Sequence, residues 1–404
     1  MVLLCFPICG GWSGERPEEV QTEQARLEQA QLEQAQPEQA RLDRVRVIFL
    51  GDIMAHKEQL QGAGESWDFA PQFRRVKPLF GGALVVGNLE TVFAGEKKGF
   101  SGYPSFNTPD ELADALADLG VNVVTLANNH ILDRGSFGAL RTMEVLDRAG
   151  IFHVGLVAGG DSDEVLTLEY GGVRWSFVNY SYGSNREPED VRPNILSDAA
   201  VTEGLRRARL SSPDILVACF HWGNEYQFTP TRRQREIAAL SLSMGANLVI
   251  GTHPHVLQPI EIVKENSNQN SGNLDRGYGL VAYSLGNFVS YQRTLPRERS
   301  VILAVDVEKV ETGARISRVS VAPTRVSATK PQGRHSIQVV YAGKSERFNH
   351  AGLTEGELKT AQLVGQAVLD FLGAAESPDK EGFYTLWDAA SPDVLPESRR
   401  KTPQ

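Results

Sequence analysis

The stretch Leu248–Gln258, LVIGTHPHVLQ, places two histidines where an apolar segment gives way to a loop. Leu248–Ile250 form a short run of apolar, partly β-branched residues, which is typical of the end of a buried strand. A glycine ends this run, and His253 and His255 follow on either side of Pro254. Because proline fixes one backbone torsion, the loop has reduced freedom and both imidazoles can reach one metal site. A polar turn with two surface histidines is the alternative that this stretch alone leaves open.

The same arrangement, an apolar run followed by a polar cluster, recurs along the chain. In a chain that alternates strands with helices, ligands gather at the carboxyl ends of the strands. The runs are Val45–Leu50 before Gly51 and Asp52, Ala83–Val86 before Asn88 and Glu90, Val121–Ala127 before Asn128, Asn129 and His130, Asp214–Phe220 before His221, and Gly279–Leu285 before Gly286 and Asn287.

Helical segments lie between these strands, so that the pattern predicts an α/β fold. Thr108 is the expected N-cap of a helix that has Pro109 in its first turn and stops at Gly120. Antiparallel strands are expected around the Gly171-Gly172 turn and over Ser300–Val321. Further helices are predicted from about Ser136 to Gly150, from near Thr231 to Gly245, and from a capping box of Thr354 and Glu357 through Leu372.

Length, composition and charge limit the classes of protein that the chain can represent. Its 404 residues could hold two or three domains, or one large α/β domain with tails. An apolar fraction of 41% leaves enough material for a sizeable core. The formal charge of -9 argues against nucleic acid as a partner. No stretch approaches the roughly 20 apolar residues that are needed to span a bilayer.

The two ends of the chain differ in character from its middle. Residues 1–14 could be a degenerate export or lipoprotein signal ending at Cys9, or an ordinary disordered N-terminus. We expect export or association with the cell envelope, with a cytoplasmic location left open. Residues 15–44, rich in Glu, Gln and Ala, predict a solvated and partly helical tether. We expect the main domain to cover residues 45–325 and a C-terminal helical extension to cover residues 326–404.

The residues after the predicted strands are of the types that bind divalent metal ions. Carboxylates, neutral imidazoles and an Asn carbonyl suit one or two borderline-hard ions such as Mn, Fe or Zn, without deciding among them. Two ions about 3.5–4 Å apart can hold a phosphoryl oxygen and stabilise an in-line displacement. Singly, each residue could belong to a turn, a helix cap or a satisfied histidine, but their recurrence favours one joint site. The set is Asp52, Glu90, Asn129, His130, His221, His253 and His255.

An ordered series of motifs makes a family resemblance specific. The strings GDIMAH, GNLET, LANNHILDRG, HWGNEYQFTPTRRQ, GANLVIGTHPHVLQPIE and YSLGNF follow one another between Val45 and roughly Val305. This series resembles the CapA (poly-gamma-glutamate synthesis protein) family within the calcineurin-like metallophosphoesterase superfamily. The resemblance implies a metallophosphoesterase-like sandwich of two mixed β-sheets flanked by helices, with the metal site at one edge.

The resemblance also implies a role for each matching residue. His130 would be the general acid rather than a ligand, paired with a nearby carboxylate that orients its ring. Asp133 is the candidate for that carboxylate, unless it only stabilises the turn. The first metal ion would be held by Asp52 and His255, and the second by Asn129, His221 and His253.

Two positions depart from the wider superfamily. Its first motif usually reads D-x-H, whereas the nearest histidine after Asp52 is His56, which becomes a further metal-ligand candidate. Its second motif usually places a bridging Asp after Gly, where this chain has Asn88. Glu90 is then the carboxylate available to bridge, unless Asn88 binds through its carbonyl oxygen. A neutral amide there would weaken a bridge between two ions and puts full two-metal phosphatase activity in doubt.

Several residues near these motifs are candidates for contacting substrate. Arginine suits bidentate recognition of carboxylate or phosphate, and a polyglutamate chain would present carboxylates. A basic helix start is, alternatively, a solvated surface. The candidates are Trp222, Glu225, Tyr226, Arg232, Arg233 and Asn287.

Together these features favour a CapA-like metal-dependent phosphoesterase that acts in the synthesis or export of a capsule-type anionic polymer such as poly-gamma-glutamate. Its partners would be that polymer or a phosphoester substrate, and a membrane polymer-synthase complex. Two alternatives stay open. The chain could be a non-catalytic accessory subunit of such a complex, or a metal-dependent hydrolase of gamma-glutamyl amide bonds.

Overall fold

The computed structural model describes residues 44–159, 165–264 and 277–391, apart from positions 312, 346, 349 and 350. The expected signal segment and nearly all of the expected tether lie outside the described residues. Contacts within the chain divide it into Met1–Arg44 and Val45–Gln404. The strands and helices belong to the second unit, apart from Arg44, at which the first strand begins.

The described chain alternates strands and helices in the order that the sequence predicts for an α/β fold. The strands are β1 (Arg44–Ile53), β2 (Ala83–Leu89), β3 (Val123–Thr125), β4 (Phe152–Val154), β5 (Leu156–Ala158), β6 (Val165–Tyr170), β7 (Val173–Ser181), β8 (Val191–Pro193), β9 (Ile215–His221), β10 (Leu248–Thr252), β11 (Ile260–Lys264), β12 (Tyr278–Ala282), β13 (Asn287–Val289), β14 (Arg299–Val310), β15 (Gly313–Thr329), β16 (Ser336–Tyr341) and β17 (Tyr384–Asp388). The α-helices are α1 (Lys57–Ala63), α2 (Glu111–Leu119), α3 (Gly135–Arg148), α4 (Asp198–Leu210), α5 (Arg232–Ser243) and α6 (Glu355–Leu372).

The larger sheet has nine strands and is mixed. Its strand order is β16-β15-β14-β1-β2-β3-β4, with β13 beside β1 and β17 beside β15. Strands β1 to β4 run parallel to one another, and β13 is parallel to β1. Strands β14 to β17 pair antiparallel. The parallel half therefore gathers the carboxyl ends of β1, β2 and β3 at one edge of the sheet.

The second sheet has six strands in the order β11-β12-β10-β9-β7-β6. Its four central strands β7, β9, β10 and β12 are parallel, and the outer strands β6 and β11 pair antiparallel with their neighbours. A separate small sheet is formed by β5 and β8. The predicted mixture of parallel and antiparallel strands in two large sheets is confirmed.

Alternate residues of the six-stranded sheet face two different cores. Val217 and Cys219 belong to the large apolar cluster shared with the nine-stranded sheet. Leu216 and Ala218, which point the other way, pack with α4 and α5 through residues such as Ile237. Because side chains alternate across a strand, this division shows one sheet face against the other sheet and one against helices. The architecture is the predicted sandwich of two mixed sheets flanked by helices.

Most helix starts agree with the sequence, and one does not. Thr231 and Thr354 cap α5 and α6 with reciprocal capping boxes, as their sequences predict. The helix expected to start from Thr108 begins two residues later, with Asp110 at the N-cap. The Thr108 hydroxyl lies 2.6 Å from that of Thr91 and is therefore not used as a cap.

The region after residue 325 contains strands as well as a helix. The expected boundary at residue 325 falls inside β15, and β16 and β17 pair with that same strand. Helix α6 also contributes Val364 and Val368 to the large core. The expected C-terminal helical extension is thus corrected: its described residues complete the nine-stranded sheet. In the part of the chain that the structure describes, no helix has the length and apolar character to cross a membrane.

Candidate metal centre

Strand ends from both sheets meet at one buried cluster. β1, β2 and β3 of the larger sheet bring Asp52, Glu90 and Asn129, while β9 and β10 of the smaller sheet bring three histidines. The Asn129 Oδ1 atom lies 2.8 Å from His221 Nε2, which joins the two sheets. Every predicted ligand of the two metal ions is buried; the full set is Asp52, Glu90, Asn129, His221, His253 and His255.

Glu90 lies at the centre of this cluster. Its carboxylate is fully buried, and within the described chain neither oxygen has a hydrogen-bond partner. Glu90 Oε1 lies 3.6 Å from His221 Nε2 and 3.8 Å from His255 Nε2. A buried polar group without a partner costs free energy, so this arrangement calls for a cation.

Two groups of side chains bring their donor atoms close enough to bind a common ion. Glu90, His253 and His255 form one group, and Asp52, Glu90 and His221 form the other, each with its donor atoms within 4.8 Å of one another. Glu90 is common to both groups, which is the position expected of a bridging carboxylate. The pairing differs from the predicted division, because His253 groups here with His255 and His221 with Asp52. The assignment of ligands to two separate ions stays a prediction.

Asn88 holds Asp52 in place. Its Nδ2 donates to Asp52 Oδ1 at 2.8 Å, and its Oδ1 accepts from Thr125 Oγ1 at 3.2 Å. Asn128 Nδ2 lies 3.5 Å from the same carbonyl oxygen. The predicted binding of a metal through the Asn88 carbonyl therefore conflicts with the partners that this oxygen already has. In this geometry Asn88 positions a ligand instead of acting as one.

The loop that bears His253 and His255 has a strained backbone. Both histidines have positive φ values, 95° and 56°, which are uncommon outside glycine. Residues held in this way cost of order 1–3 kcal/mol each and concentrate at functional sites. The preceding Gly251 leaves no room for a side chain, since an added Cβ would lie 2.0 Å from the carbonyl oxygen of Tyr283. The close approach of backbone segments thus determines where both imidazoles point.

His255 is oriented through its Nδ1 atom. Asp52 Oδ2 lies 3.1 Å and Asn287 Oδ1 lies 3.0 Å from that nitrogen. Two oxygen acceptors favour a proton on Nδ1, which leaves Nε2 free to bind a metal. Asn287 was predicted to contact substrate, but it is fully buried and its Nδ2 donates to the carbonyl oxygen of Arg297. It positions His255 instead.

Burial and mutual proximity alter the acidity of the cluster. Burial, followed by the nearby Asp52 carboxylate, raises the pKa of Glu90 well above its ordinary value. Burial, followed by the charge of neighbouring histidines, lowers the pKa of His221 well below its ordinary value and that of His253 to about 3. The two imidazoles are therefore neutral near pH 7, which is the form that binds metals.

His130 and Asp133 form the pair that the sequence predicts. His130 Nδ1 lies 2.9 Å from Asp133 Oδ2, and both side chains are buried. Asp133 Oδ2 also accepts from the backbone N–H of Phe106 at 2.6 Å. These contacts fix the carboxylate and favour a proton on Nδ1, so that Nε2 is available for proton transfer. The role of His130 as a general acid stays a prediction.

His56 caps helix α1 beside the site. Its Nδ1 accepts from the backbone N–H of Tyr291 at 3.2 Å, which leaves only Nε2 for any other partner. Burial lowers the pKa of His56 to about 4. It belongs to neither close group of donor atoms in the described chain. The structure therefore gives this candidate ligand a local role at a helix start.

The predicted substrate contacts fall in different environments. Trp222 is buried, stacks on Phe220, and donates from Nε1 to the carbonyl oxygen of Tyr283 at 2.9 Å, so it belongs to the core. Arg232 is 92% exposed and pairs with Glu236, and Arg233 pairs with Asp198 at 2.7 Å on the surface beside α5.

The remaining two candidates for substrate contact, Glu225 and Tyr226, lie near the metal centre. The Tyr226 ring lies 6.1 Å from the His255 ring, centre to centre. Glu225 is exposed, and its charge is among the causes, after burial, that raise the pKa of Tyr226 to about 12.

Several residues that contact the ligands were not predicted from the sequence. Asn185 donates from its backbone N–H to the Asn129 carbonyl oxygen at 2.9 Å, and its side chain lies 3.4 Å from His130 Nδ1. The Tyr182 ring contacts the His253 ring in a tilted arrangement, with 4.5 Å between ring centres. Both follow β7, a parallel neighbour of β9, so the strand-end rule could have found them. Thr252 Oγ1 lies 3.1 Å from His221 Nδ1 and orients that ring.

The donor set fits one or two divalent metal ions. Carboxylate oxygens, neutral imidazole nitrogens and an amide oxygen converge, and the orphaned Glu90 carboxylate needs positive charge. The orienting contacts of Asn88, Asn287 and Thr252 are those expected around metal ligands. Such a donor set does not distinguish Mn from Fe or Zn.

Comparisons with known proteins identify proteins to which this chain is similar. The capsule biosynthesis protein CapA of Bacillus anthracis is 28% identical over 265 residues, covering 61% of this chain and 60% of that protein. The PGA biosynthesis protein CapA of Bacillus subtilis is 28% identical over 299 residues, covering 72% and 73%. A probable polyglutamine synthesis accessory protein of Mycobacterium tuberculosis is 28% identical over 174 residues, covering 39% and 45%. This chain thus matches less than two thirds of the Bacillus anthracis protein.

Among solved structures, a calcineurin-like phosphoesterase of Bacillus subtilis aligns with a TM-score of 0.41 and 13% identity, covering 81% of this chain and 99% of that one. The family model described as bacterial capsule synthesis protein PGA_cap matches residues 46–292, and this range contains every predicted metal ligand. The chain therefore belongs to the bacterial capsule synthesis protein PGA_cap family.

Proposed function

We propose that this chain is a metal-dependent phosphoesterase of the cell envelope that acts in the synthesis or export of a capsule-type anionic polymer such as poly-gamma-glutamate. The observation that carries the proposal is the buried Glu90 carboxylate, which lies without a hydrogen-bond partner between two groups of histidine and carboxylate donors. Family membership and the names of the Bacillus relatives support the polymer. A membrane polymer-synthase complex is the partner that this role would require.

The chemistry of the proposal is hydrolysis with one general acid. Bound divalent ions would polarise a phosphoester and supply a nucleophile near neutral pH. Protonated His130 would donate a proton from Nε2 to the leaving oxygen. The Asp133 carboxylate, 2.9 Å from His130 Nδ1, would hold the ring in position and stabilise its charged form.

Two measurements on one set of proteins test the proposal. Elemental analysis of the purified chain should find one or two transition ions per chain, and the Mn²⁺-loaded protein should hydrolyse an aryl phosphomonoester or phosphodiester. His253→Ala removes a ligand and should lower both metal content and turnover, the latter at least about tenfold. His153→Ala is the matched control, since His153 pairs with Asp147 on the surface. Unchanged metal content and turnover in His253→Ala would remove this site from consideration.

A second candidate function is a non-catalytic accessory subunit of the polymer-synthesis complex, with any metal ion structural. It is favoured by the neutral Asn88, which donates to Asp52 in the position where a bridging Asp is usual. The name of the Mycobacterium tuberculosis relative points the same way. Co-purification with synthase subunits and no hydrolysis of any phosphoester would support this candidate. If instead polyglutamate is shortened, as mass spectrometry would show, the activity is gamma-glutamyl amide hydrolysis.

A further inference from the structure

The loop between β13 and β14 holds arginines in two distinct electrostatic environments. Glu298 is buried, and its Oε2 lies 2.9 Å from Arg293 and 3.3 Å from Arg325. This carboxylate pairs with both of those guanidinium groups and anchors the loop. Arg297 and Arg299, on either side of Glu298, have no side-chain hydrogen bond or ion pair with any other described residue. Two positive charges are therefore left for a partner outside the described chain.

Arg297 lies at the entrance of the metal centre. Its Cζ atom is 3.4 Å from the centre of the Tyr226 ring, and that ring lies 6.1 Å from the His255 ring. The backbone N–H of Tyr226 donates to the carbonyl oxygen of Pro254 at 2.7 Å, which ties the ring to the loop that bears the ligands. A guanidinium that stacks flat on an aromatic ring keeps its N–H edges free for an anion. The Tyr226 ring thus lies between the Arg297 guanidinium and the imidazole of His255.

Arg299, the first residue of β14, lines an apolar groove formed by the loops that bear Phe228, Leu257 and Leu295 and by helix α6. Its Nε atom is buried and has no hydrogen-bond partner among the described residues. The groove has a volume of about 440 Å³, and Phe228 and Leu295 on its walls are 41% and 52% exposed. Apolar walls around a guanidinium suit a ligand that alternates methylene groups with anionic groups. The remaining apolar lining includes Leu257, Val368 and Phe371.

We propose that Arg297 and Arg299 form a carboxylate-binding subsite for the polymer, next to the metal centre. The occupant is an acidic chain with methylene groups between its carboxylates: the carboxylates bind the two guanidinium groups and the methylenes lie along the groove. This inference rests on the proposed function, and it names the part of the substrate that flanks the reacting group. Arg297 and Arg299 take the role of recognising negative charge that the sequence suggested for Arg232 and Arg233. Those two arginines already have carboxylate partners.

Equilibrium binding tests the subsite without requiring turnover. The Mn²⁺-loaded full chain is titrated calorimetrically with a pentapeptide of gamma-linked glutamate and, separately, with inorganic phosphate. Arg297→Gln is the deciding variant because, among the described residues, the Arg297 side chain contacts the Tyr226 ring and pairs with no carboxylate. Arg299→Gln is the second variant. Arg315→Gln is the matched control, since it removes the same charge at the opposite end of the β14–β15 hairpin, where Arg315 pairs with Glu308.

We expect Arg297→Gln to weaken pentapeptide binding about tenfold or more, since a charge-assisted hydrogen bond is lost, and Arg299→Gln to act in the same direction. Arg315→Gln should stay within about twofold of the original protein, as should phosphate binding in every variant. Pentapeptide affinity unchanged in Arg297→Gln would overturn the subsite. The same holds if gamma-linked glutamine binds as tightly as glutamate, or if only phosphate binding weakens. Because no hydrolysis is measured, an inactive protein would refute the proposed function and leave this result standing.

Discussion

The Glu90 carboxylate affects folding and metal binding in opposite directions. Burial raises its pKa well above the ordinary value, so near neutral pH the metal-free fold contains either a buried charge or a proton bound at a free-energy cost. A divalent ion would turn the same carboxylate into a ligand. The residue therefore belongs to the class of functional groups that lower the stability of the metal-free protein.

Glu90→Gln should accordingly stabilise the metal-free protein while weakening metal binding. We expect the free energy of unfolding in EDTA at pH 7 to rise by about 1–3 kcal/mol, because a neutral amide replaces an unpartnered carboxylate of similar shape. Urea unfolding measures this change, and metal titration measures the loss of affinity. Glu298→Gln is the control: it removes a buried carboxylate that has two arginine partners, and it should lower stability. Lower stability in both variants would contradict the proposed state of Glu90.

Asp133→Asn tests the orientation of His130. The amide cannot stabilise a protonated imidazole as the carboxylate does, so we expect turnover to fall about 10²–10⁴-fold with metal content unchanged. The alkaline limb of the pH–rate profile, along which a general acid loses its proton, should move to lower pH as well, which a merely structural change would not cause. Asp147→Asn, in the surface pair with His153, provides the control. An unaltered pH profile in Asp133→Asn would count against His130 as the acid.

For single residues, the sequence predicted the candidate metal ligands better than it predicted the residues that contact substrate. Ligands such as His221 and Asp52 follow apolar runs, and parallel strands bring such positions to one edge. The direction of a side chain is not visible in that pattern: Trp222 and Asn287 lie in the same motifs yet point into the interior. Arg297 lies in a loop whose position depends on tertiary contacts, so no local signal could have placed it beside Tyr226.

Among the elements, the contact between β1 and β13 sets the position of Asp52. The Asp52 N–H donates to the Gly286 carbonyl oxygen at 3.0 Å, and Asp52 is in register with Asn287. The preceding Gly51 leaves no space, since an added Cβ would lie 1.8 Å from the same oxygen. The absence of a side chain at Gly51 is thus a condition for the strand pairing that holds one metal ligand.

Gly51→Ala should therefore disrupt both stability and metal binding. We expect a loss of about 1–3 kcal/mol in the free energy of unfolding, because the strands must separate to admit a methyl group. Metal affinity should fall in the same variant, since Asp52 moves with the strand. Gly81→Ala is the control, because its added Cβ would meet nothing within 4 Å, and it should change stability by less than about 0.5 kcal/mol. Equal stability of the two variants would show that the pairing tolerates the methyl group.

Elements with strong local patterns were predictable, and the short ones were not. β1, β9 and β10 are apolar runs with clear ends, and α5 and α6 begin at capping boxes. β4, β5 and β8 have three residues each, too few to show a period, and they form because neighbouring strands offer hydrogen-bond partners. The Thr108 cap failed for a related reason: a tertiary partner, Thr91, occupies its hydroxyl.

For the whole molecule, the site depends on how the two packed sheets bring their strand ends together. No local pattern indicates that β16 and β17 return to β15, and the expected boundary at residue 325 therefore differs from the observed sheet. The recurrence of polar clusters after apolar runs favoured one joint site, but the arrangement in two sheets came from the family resemblance, since strand ends from separate sheets need not face each other. This dependence on global structure links the ionisation of the site to the stability of the whole fold.

That linkage has a definite sign in the metal-free protein. Burial lowers the pKa of His56 to about 4 and that of His253 to about 3, and it lowers the pKa of His221 well below its ordinary value. Such groups take up protons more readily when the chain is unfolded. The stability that they contribute is therefore present above the ordinary imidazole pKa of about 6.5 and is lost as pH falls toward about 4. Glu90 has the opposite effect because its pKa is raised. Its contribution to stability is lost as pH rises above the ordinary pKa of a glutamate side chain.

We therefore expect the EDTA-treated protein to lose stability steeply between about pH 6.5 and pH 4, by up to about 1.4 kcal/mol per pH unit for each of these histidines. In His253→Ala, the free energy of unfolding should depend less steeply on pH, by the contribution of one histidine. The stability of this variant at pH 7 also reflects the loss of the side chain. Added Mn²⁺ should raise the unfolding temperature most near pH 7–8 and progressively less toward pH 5, because protons compete for the same nitrogen atoms. Thermal unfolding across this pH range, with and without the metal, measures both effects. A Mn²⁺ stabilisation that is the same at pH 5 and pH 8 would mean that the ion binds to groups other than these imidazoles.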